Sequence, residues 1–214
     1  MPDSVEMWEP DANVDSADVA WMITATIFVL MMTPGLAFFY GGMVNKKNVI
    51  STILQSFIAM GIISVVWVIV GFSLAFGDNI GGVLGNPATF FMFHGVGAKV
   101  NPELAPTIPL ALYALFQMKF AIITPSLITG AFAERVKFSA YLVFMILFCL
   151  FIYCPLAHCT WHPDGIFRQW GVVDFAGGIV VHASSGIAAL AGALFLGRRV
   201  KDQRSDAPAN VPFV

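Results

Sequence analysis

Two ionisable residues flank and interrupt one apolar stretch, DFAGGIVVHASSG, which runs from Asp174 to Gly186. Asp174 precedes the apolar run, where a carboxylate can accept the free backbone N–H groups of a first helical turn and face the positive end of the helix dipole. His182 lies eight residues further on, which at 1.5 Å per residue is about 12 Å deeper, close to the middle of a bilayer. The pattern predicts a capping carboxylate at a mouth and a polar group inside a pore.

Each of these residues also has a purely structural alternative. Asp174 either caps the helix and does no more, or it fixes the backbone of an outer vestibule or attracts a cation there. His182 either hydrogen-bonds a neighbouring helix or lines a pore, and an ionisable group at that depth is costly and usually functional. Gly178 and Gly186 stand four residues on either side of His182. The helix face with the histidine therefore lacks side chains, which predicts the close approach of a helix or a pore.

Aromatic residues form a second group of candidates. Phe116 and Phe120 are spaced i, i+4, which places two rings along one helix face. Such a pair ordinarily faces lipid or the core, and the alternative is a gate or a surface that attracts a cation. Trp161 is the better candidate for cation–π attraction because indole binds small cations most strongly, although the membrane interface is its ordinary place. Lys119 must face protein or a cavity, or be neutral.

The stretch HCTWH contains side chains of metal-ligand type, His158, Cys159 and His162. Pro163 and Gly165 disfavour the helix that would bring the two histidines together, and the sequence has no second cluster of ligands. A phosphate-binding glycine loop and a nucleophile–base arrangement are also absent from the sequence. We therefore expect no metal, no cofactor and no enzyme, and an intramembrane metal enzyme on this stretch is the weakest alternative.

These candidates are embedded in a chain of membrane composition. Of its 214 residues, 58% are hydrophobic and 11% are charged, against roughly 25% charged in an ordinary soluble domain. Runs long enough to cross a hydrocarbon core of about 30 Å occur at 19–43, 49–76, 109–133, 138–157 and 173–197. Each should be helical, because an open strand cannot satisfy its backbone in lipid. The predicted fold class is an all-α polytopic membrane protein surrounded by lipid.

Basic residues predict the orientation, because short loops on the retained side of a membrane collect Lys and Arg. They follow the first, third and fifth spans: Lys46, Lys47, Arg135, Lys137, Arg198, Arg199, Lys201 and Arg204. Residues 1–18 hold six acidic residues and no basic one. We expect an external acidic tail at 1–18 and a membrane domain at 19–214 in the cell (inner) membrane, with the amino terminus outside. The net charge of −2 gives no reason to expect nucleic acid as a partner.

Three further segments carry local predictions. Residues 77–109 are rich in Gly and Pro, which predicts an outer loop that packs over the bundle. Thr33-Pro34-Gly35 predicts a break or bend in the first helix. The polar tail turns apolar at its last residues, which predicts the start of a sixth span near 211 and a truncated chain. A chain that stops at Val214 is not expected to transport by itself.

Five ordered blocks of this sequence resemble the ammonium transporter (Amt/Mep/Rh) family, and the Amt branch most closely. The blocks are TPGLAFFYGGMVNKKNV (33–49), WVIVGFSLAFG (67–77), FQMKFAIITPSLITGAFAERVKFSAY (116–141), LAHCTW (156–161) and DFAGGIVVHASSGIAALAGALFLGRR (174–199). The resemblance implies a homotrimer with eleven transmembrane helices per subunit, an external amino terminus and one hydrophobic pore through each subunit. This chain would supply helices one to five.

The resemblance also assigns roles to individual residues. Trp161 matches the tryptophan that lines the family's outer ammonium site. Phe120 matches the outer member of its phenylalanine gate, with Phe116 one turn above. Asp174 matches the aspartate that organises the vestibule, and Ala176 lies beside it.

His182 matches the first of the family's two pore histidines, which are thought to carry the proton while ammonia passes separately. The implied function is transport of ammonium or ammonia, with deprotonation as the step that excludes K⁺, because K⁺ cannot be neutralised in an apolar pore. The second histidine, the second gate phenylalanine and a hydroxyl of the outer site would come from the rest of the family's chain. The alternative is an ammonium-sensing input module of a signalling protein. The resemblance also allows a PII-type regulator on the cytoplasmic loops.

Overall fold

The computed structural model describes residues 11–198 together with Asn210 and Pro212. Several predicted features lie outside these residues: Asp3, Glu6 and Glu9 of the acidic tail, Arg199, Lys201 and Arg204 of the basic tail, and the start of a sixth span at Val211.

Within the described residues, five helices are long and apolar enough to cross a membrane, as predicted. They are Ser16–Met43, Lys46–Phe76, Leu110–Phe132, Phe138–Gln169 and Gly178–Leu196, called here the first to fifth spans. The all-α prediction is confirmed apart from one small β-ribbon in the loop that follows the second span. The third span is the most buried of the five, and it packs against the first, second and fifth spans.

The first span begins at a side-chain cap and runs without a break. Asp15 accepts hydrogen bonds from the backbone N–H groups of Ala17 and Asp18, at 2.7 and 3.0 Å. The helix then continues through Pro34 to its last residue, so it is not broken at 33–35, and a bend there stays a prediction. The second and third spans both pack along this helix, and such neighbours stabilise a transmembrane helix whose backbone hydrogen-bond pattern a proline interrupts.

The second and fourth spans each contain a wide, π-helical turn. The second span consists of Lys46–Asn48 (3₁₀), Val49–Val66 (α), Trp67–Gly71 (π) and Phe72–Phe76 (α). The fourth consists of Phe138–Phe148 (α), Cys149–Tyr153 (π) and Cys154–Trp161 (α), followed by a short helix, Ile166–Gln169. Trp67 and Tyr153 are fully buried, with ring centroids 6.2 Å apart. The wide turns therefore place two large aromatic rings in the core of the bundle.

The fourth span is longer than the sequence predicted. Its helix continues past residue 157 to Trp161, because Pro163 and Gly165 lie beyond the last helical residue and cannot interrupt it. As a result His158 and His162 do come together, with ring centroids 4.3 Å apart and planes inclined by 18°. The expectation that these two histidines are kept apart is wrong.

The loop at 77–109 packs over one end of the bundle, as predicted. It contains the antiparallel strands Asn79–Ile80 and Leu84–Gly85 and a 3₁₀ turn, Phe91–Phe93. Phe90 and Phe93 pack on Phe72 of the second span, with ring centroids 5.0 and 5.7 Å away. The ring nitrogens of His158 lie 3.0 Å from Ala75 O and 3.0 Å from Asn79 Oδ1. The loop is thereby fixed to the neighbouring ends of the second and fourth spans.

Tight packing just after the helix Cys154–Trp161 of the fourth span gives a prediction on stability. A Cβ atom at Gly165 would lie 2.1 Å from His158 O and 2.5 Å from Cys159 O. We expect Gly165→Ala to destabilise the complete protein by about 1–3 kcal/mol, the usual cost of overpacking, and to lower its melting temperature in detergent. Gly61→Ala is the matched control, because no atom lies within 4 Å of that Cβ position. Equal melting temperatures for Gly165→Ala and wild type would contradict the prediction.

Contacts between loops define the two ends of the bundle. At one end, Asn45 N and Asn48 Nδ2 donate to Glu134 Oε1, both at 2.9 Å, which joins the connections after the first and third spans. At the other end, Asp15 N donates to Thr107 O at 2.8 Å. Successive connections thus alternate between the two ends of the bundle, in agreement with the distribution of basic residues. Which of the two ends faces the outside stays a prediction.

The fifth span begins later than the predicted residue 173. A π-helical turn at Gly178–Ala183 leads into the α-helix Ser184–Leu196. Gly177 precedes the turn with φ +83°, a left-handed conformation that glycine adopts without strain. Residues 174–177 are non-helical because the side chain of Asp174 takes the hydrogen bonds that would otherwise continue the helix backwards.

Candidate functional site

A small cavity lies where the beginning of the third span and the end of the helix Cys154–Trp161 of the fourth span meet the start of the fifth. Its volume is about 190 Å³, and it is lined by Tyr113, Phe116, Gln117, Phe120, Trp161, Asp174 and Phe175. The cavity brings together four of the six site residues that the sequence predicted. Ala176 and His182 are not among the lining residues.

The aromatic walls of the cavity come from two different spans. Phe116 and Phe120 lie one helical turn apart on the third span, with ring centroids 5.1 Å apart and planes at 82°. Phe120 in turn lies 6.0 Å from Trp161, the last residue of the helix Cys154–Trp161 in the fourth span, at 63°. Both pairs are edge-to-face, the arrangement that the charge distribution of aromatic rings favours. Ring faces carry partial negative charge, so this cluster is a surface of the kind that attracts small cations.

Asp174 caps the fifth span with both oxygens of its carboxylate. Oδ1 accepts from Gly177 N and Gly178 N at 2.7 and 2.8 Å. Oδ2 accepts from Ile179 N and Val180 N at 2.8 and 3.2 Å. The predicted cap is therefore confirmed, although it sits four residues before the first helical residue. All four N–H groups that the helix start leaves free are bound to one carboxylate.

A second hydrogen bond ties the same loop to the fourth span. Trp161 Nε1–H donates to the backbone oxygen of Asp174 at 2.9 Å. The indole N–H is therefore already engaged in a hydrogen bond within the protein. Its ring remains as part of the cavity wall.

His182 lies further along the fifth span, inside its π-helical turn. Its side chain is exposed. Its backbone N–H donates to Gly177 O at 2.9 Å, and its backbone oxygen accepts from Ser185 Oγ at 3.2 Å. Gly178 and Gly186 are exposed as well, and a Cβ at Gly186 would meet no atom within 4 Å. The bare helix face that the sequence predicted is present, and none of the described helices covers it. Ala176 is likewise exposed.

Three residues of the cavity were not predicted. Tyr113 and Gln117 share the helix face of Phe116 and Phe120, at spacings i, i+3, i+4 and i+7, so helical periodicity could have found them. Phe175 is 97% exposed, and only its position next to Asp174 could have pointed to it.

A larger polar cavity of about 460 Å³ lies beside the first, on the far side of the end of the fourth span. Its charged and titratable lining residues are Asp78, Glu103, His162 and Asp164. Across the described part of the chain, no group of three or more His, Cys, Asp or Glu residues is arranged to hold a metal ion. His158 of the stacked pair contacts Ala75 O and Asn79 Oδ1 through its two ring nitrogens.

Comparison with known proteins gives consistent matches. Residues 20–214 match the model of the Ammonium Transporter Family. The chain is 43% identical over 222 residues to an ammonium transporter of Mycobacterium tuberculosis (strain H37Rv), an alignment that covers 94% of this chain and 46% of that protein. The crystal structure of Candida albicans Mep2 superposes with a TM-score of 0.82 at 36% identity, over 92% of this chain and 42% of Mep2.

A solved structure described as a sensor Amt protein superposes with a TM-score of 0.78 at 30% identity, over 91% of this chain and 49% of that one. The chain thus spans about half the length of the relatives that it matches.

Proposed function

The chain belongs to the ammonium transporter family, and from this premise we propose that it takes part in moving ammonium or ammonia across a membrane. The observation that carries the proposal is the outer cavity, in which Phe116, Phe120 and Trp161 meet the loop capped by Asp174. The cavity is small, aromatic and placed at one end of a bundle of membrane-spanning helices. These are properties suited to a small cation that arrives from water.

In this proposal the aromatic rings bind ammonium and Asp174 holds the site in shape. A ring face is worth about 0.5–2 kcal/mol to a cation, and more in a site shielded from water. The carboxylate of Asp174 already accepts four backbone hydrogen bonds. Its role is therefore to position the loop that carries the Trp161 partner oxygen, and direct binding of ammonium falls to the rings.

We propose that His182 serves as a proton carrier deeper in the same path. Its exposed side chain lies on a helix face with two glycines. Ile187, Leu190 and Leu194, further along the same helix, are exposed apolar residues. A face of this kind fits against another part of a membrane protein better than against water. The part of the family's chain that this sequence does not span would cover it and supply the second histidine.

Selectivity follows from the apolar nature of such a path. Moving an ion into an apolar medium without partners is very costly. Ammonium avoids this cost by releasing a proton and crossing as neutral ammonia, whereas K⁺ cannot be neutralised. Deprotonation between the outer cavity and His182 is then the discriminating step.

The remaining features of the proposal concern assembly and topology. We propose eleven helices and a homotrimer for the complete protein, an external amino terminus in the cell membrane, and a cytoplasmic face open to a PII-type regulator. The contact of Asp15 with Thr107 supports one common side for the amino terminus and the loop at 77–109. The connections that hold Lys46, Lys47 and Arg135 lie at the opposite end, in agreement with the positive-inside rule.

Transport is better supported than sensing. The sensor Amt protein shares this fold, as does Mep2, so the fold by itself does not separate the two functions. The relative with 43% identity is named an ammonium transporter.

The test is the current evoked by ammonium in proteoliposomes that contain the complete protein. We expect a saturable current with ammonium and none with sodium. Trp161→Leu should raise KM for ammonium roughly 2- to 30-fold, the equivalent of the cation–π energy lost. Trp170→Leu is the matched control, because Trp170 is an exposed residue of the same outer connection. A wild-type membrane that binds ammonium but carries neither ammonium nor ammonia would favour the sensor instead.

A further inference from the structure

We propose that Gln117 is a direct ligand of ammonium in the outer cavity, through its amide oxygen, and that Tyr113 orients the amide. This inference rests on the proposed function, because it takes ammonium as the occupant of the cavity. It adds a hydrogen-bond acceptor to a site that otherwise attracts cations through ring faces.

The other polar groups around the cavity are already engaged. Trp161 Nε1–H is bound to Asp174 O, and both oxygens of the Asp174 carboxylate are bound to backbone N–H groups. The phenylalanine rings offer no acceptor. Among the side chains that line the cavity, the acceptors that remain are those of Tyr113 and Gln117.

Gln117 is buried in a way that leaves one end of its amide unused. The side chain is only 8% exposed, and it lines the cavity. Its Nε2 donates to Tyr113 Oη at 3.4 Å, whereas its Oε1 is buried and has no hydrogen-bond partner among the described residues. A buried acceptor without a partner destabilises the folded protein. A ligand that donates a hydrogen bond would remove this destabilisation.

Tyr113 holds the amide in this orientation. Its hydroxyl accepts from the Nε2 end of Gln117, which turns the oxygen end away from the phenol. The Tyr113 ring is itself fixed edge-on against Phe76 of the second span, with centroids 5.2 Å apart and planes at 77°. In the structure the anchored tyrosine thus engages the Nε2 end of the amide and leaves Oε1 without a partner among the described residues.

Ammonium matches the unused group chemically. The ion has four N–H donors, no acceptor and one positive charge, so it can donate to an amide oxygen while its other N–H bonds face the rings of Phe116, Phe120 and Trp161. Sodium would have to give up a hydration shell for one amide oxygen in an otherwise aromatic cavity, and the loss of ligands disfavours it.

The test uses the complete protein in proteoliposomes and the dependence of current on ammonium concentration. Gln117→Leu should raise KM for ammonium about 10-fold or more, because hydrogen bonds to charged groups are worth about 1.5–3 kcal/mol. Gln117→Glu keeps an acceptor oxygen and should show a KM no higher than wild type. Gln169→Leu is the matched control at an exposed glutamine of the same side. An unchanged KM in Gln117→Leu, as expected if Oε1 binds only water or another part of the protein, would overturn the inference.

Tyr113 is a positioning residue, and a double-mutant cycle tests that role. Tyr113→Phe removes the hydroxyl and should raise KM a few-fold, about 2- to 5-fold for the loss of roughly 0.5–1 kcal/mol of a neutral hydrogen bond. The same change made in the Gln117→Leu background should add nothing, since no amide remains to be oriented. Additive effects of the two substitutions on KM would contradict the positioning role.

A binding measurement separates this inference from the transport proposal. Tryptophan fluorescence of the detergent-purified complete protein is titrated with ammonium chloride, and sodium chloride serves as the salt control. If the wild type carries no current but shows ammonium binding that Gln117→Leu weakens, transport fails and the inference stands. If the wild type carries current and Gln117→Leu binds as tightly as the wild type, the inference fails and transport stands.

Discussion

Replacing Asp174 by Ala is expected to lower the ammonium current of the complete protein about 100-fold and to destabilise it as well. Four backbone N–H groups, those of residues 177–180, would lose their acceptor at once. Loss of an ordinary N-cap costs about 0.5–2 kcal/mol, and a carboxylate with four such bonds should lie at the upper end. The same loop carries the oxygen that Trp161 binds, so the aromatic site shifts with it. A displacement of about 1 Å at a positioned group can cost roughly 100-fold in rate.

A conservative substitution at the same position separates the cap from the charge. Asp174→Asn keeps one oxygen and replaces the other by a donor that cannot accept from Ile179 N or Val180 N, so we expect an intermediate melting temperature and an intermediate current. Currents and melting temperatures are measured on the same preparations. An Asp174→Ala protein with wild-type current would show that the cap does not support the site.

His182→Ala is expected to lower the ammonium current at least about 100-fold while ammonia still crosses. Proton transfer by a positioned side chain contributes about 100- to 10,000-fold. The helix face at His182 has glycine on both sides, at 178 and 186, so no neighbour on that face can take over the proton. The remaining apolar path should still admit a neutral molecule.

The measurement records two signals from the same proteoliposomes. The current reports the movement of charge, and the internal pH after an ammonium pulse reports the movement of ammonia. His94→Ala is the control, because His94 is an exposed histidine of the outer loop. A His182→Ala protein with a wild-type current would exclude His182 from the proton path.

The sequence by itself determined the number of spans, their helical character and four of the cavity's residues. Bilayer thickness sets the length of an apolar run, and the lack of water in the bilayer core requires that each run be a helix. Both constraints act on single segments, so they can be read from the chain. The types of Asp174 and Trp161 likewise indicated a cap and an aromatic cation surface, because capping and cation–π attraction depend on the side chain itself.

The tertiary structure alone decided the limits of the fourth and fifth helices and the completion of the cavity. The fifth helix begins at Gly178 because the Asp174 carboxylate accepts hydrogen bonds from its first N–H groups. The loop at 77–109 packs against the last turn of the helix that ends at Trp161. Gln117 likewise stands out only through its tertiary contacts. Its amide is notable only because Tyr113 binds one end and burial isolates the other, and such contacts between side chains depend on packing that no apolar pattern encodes.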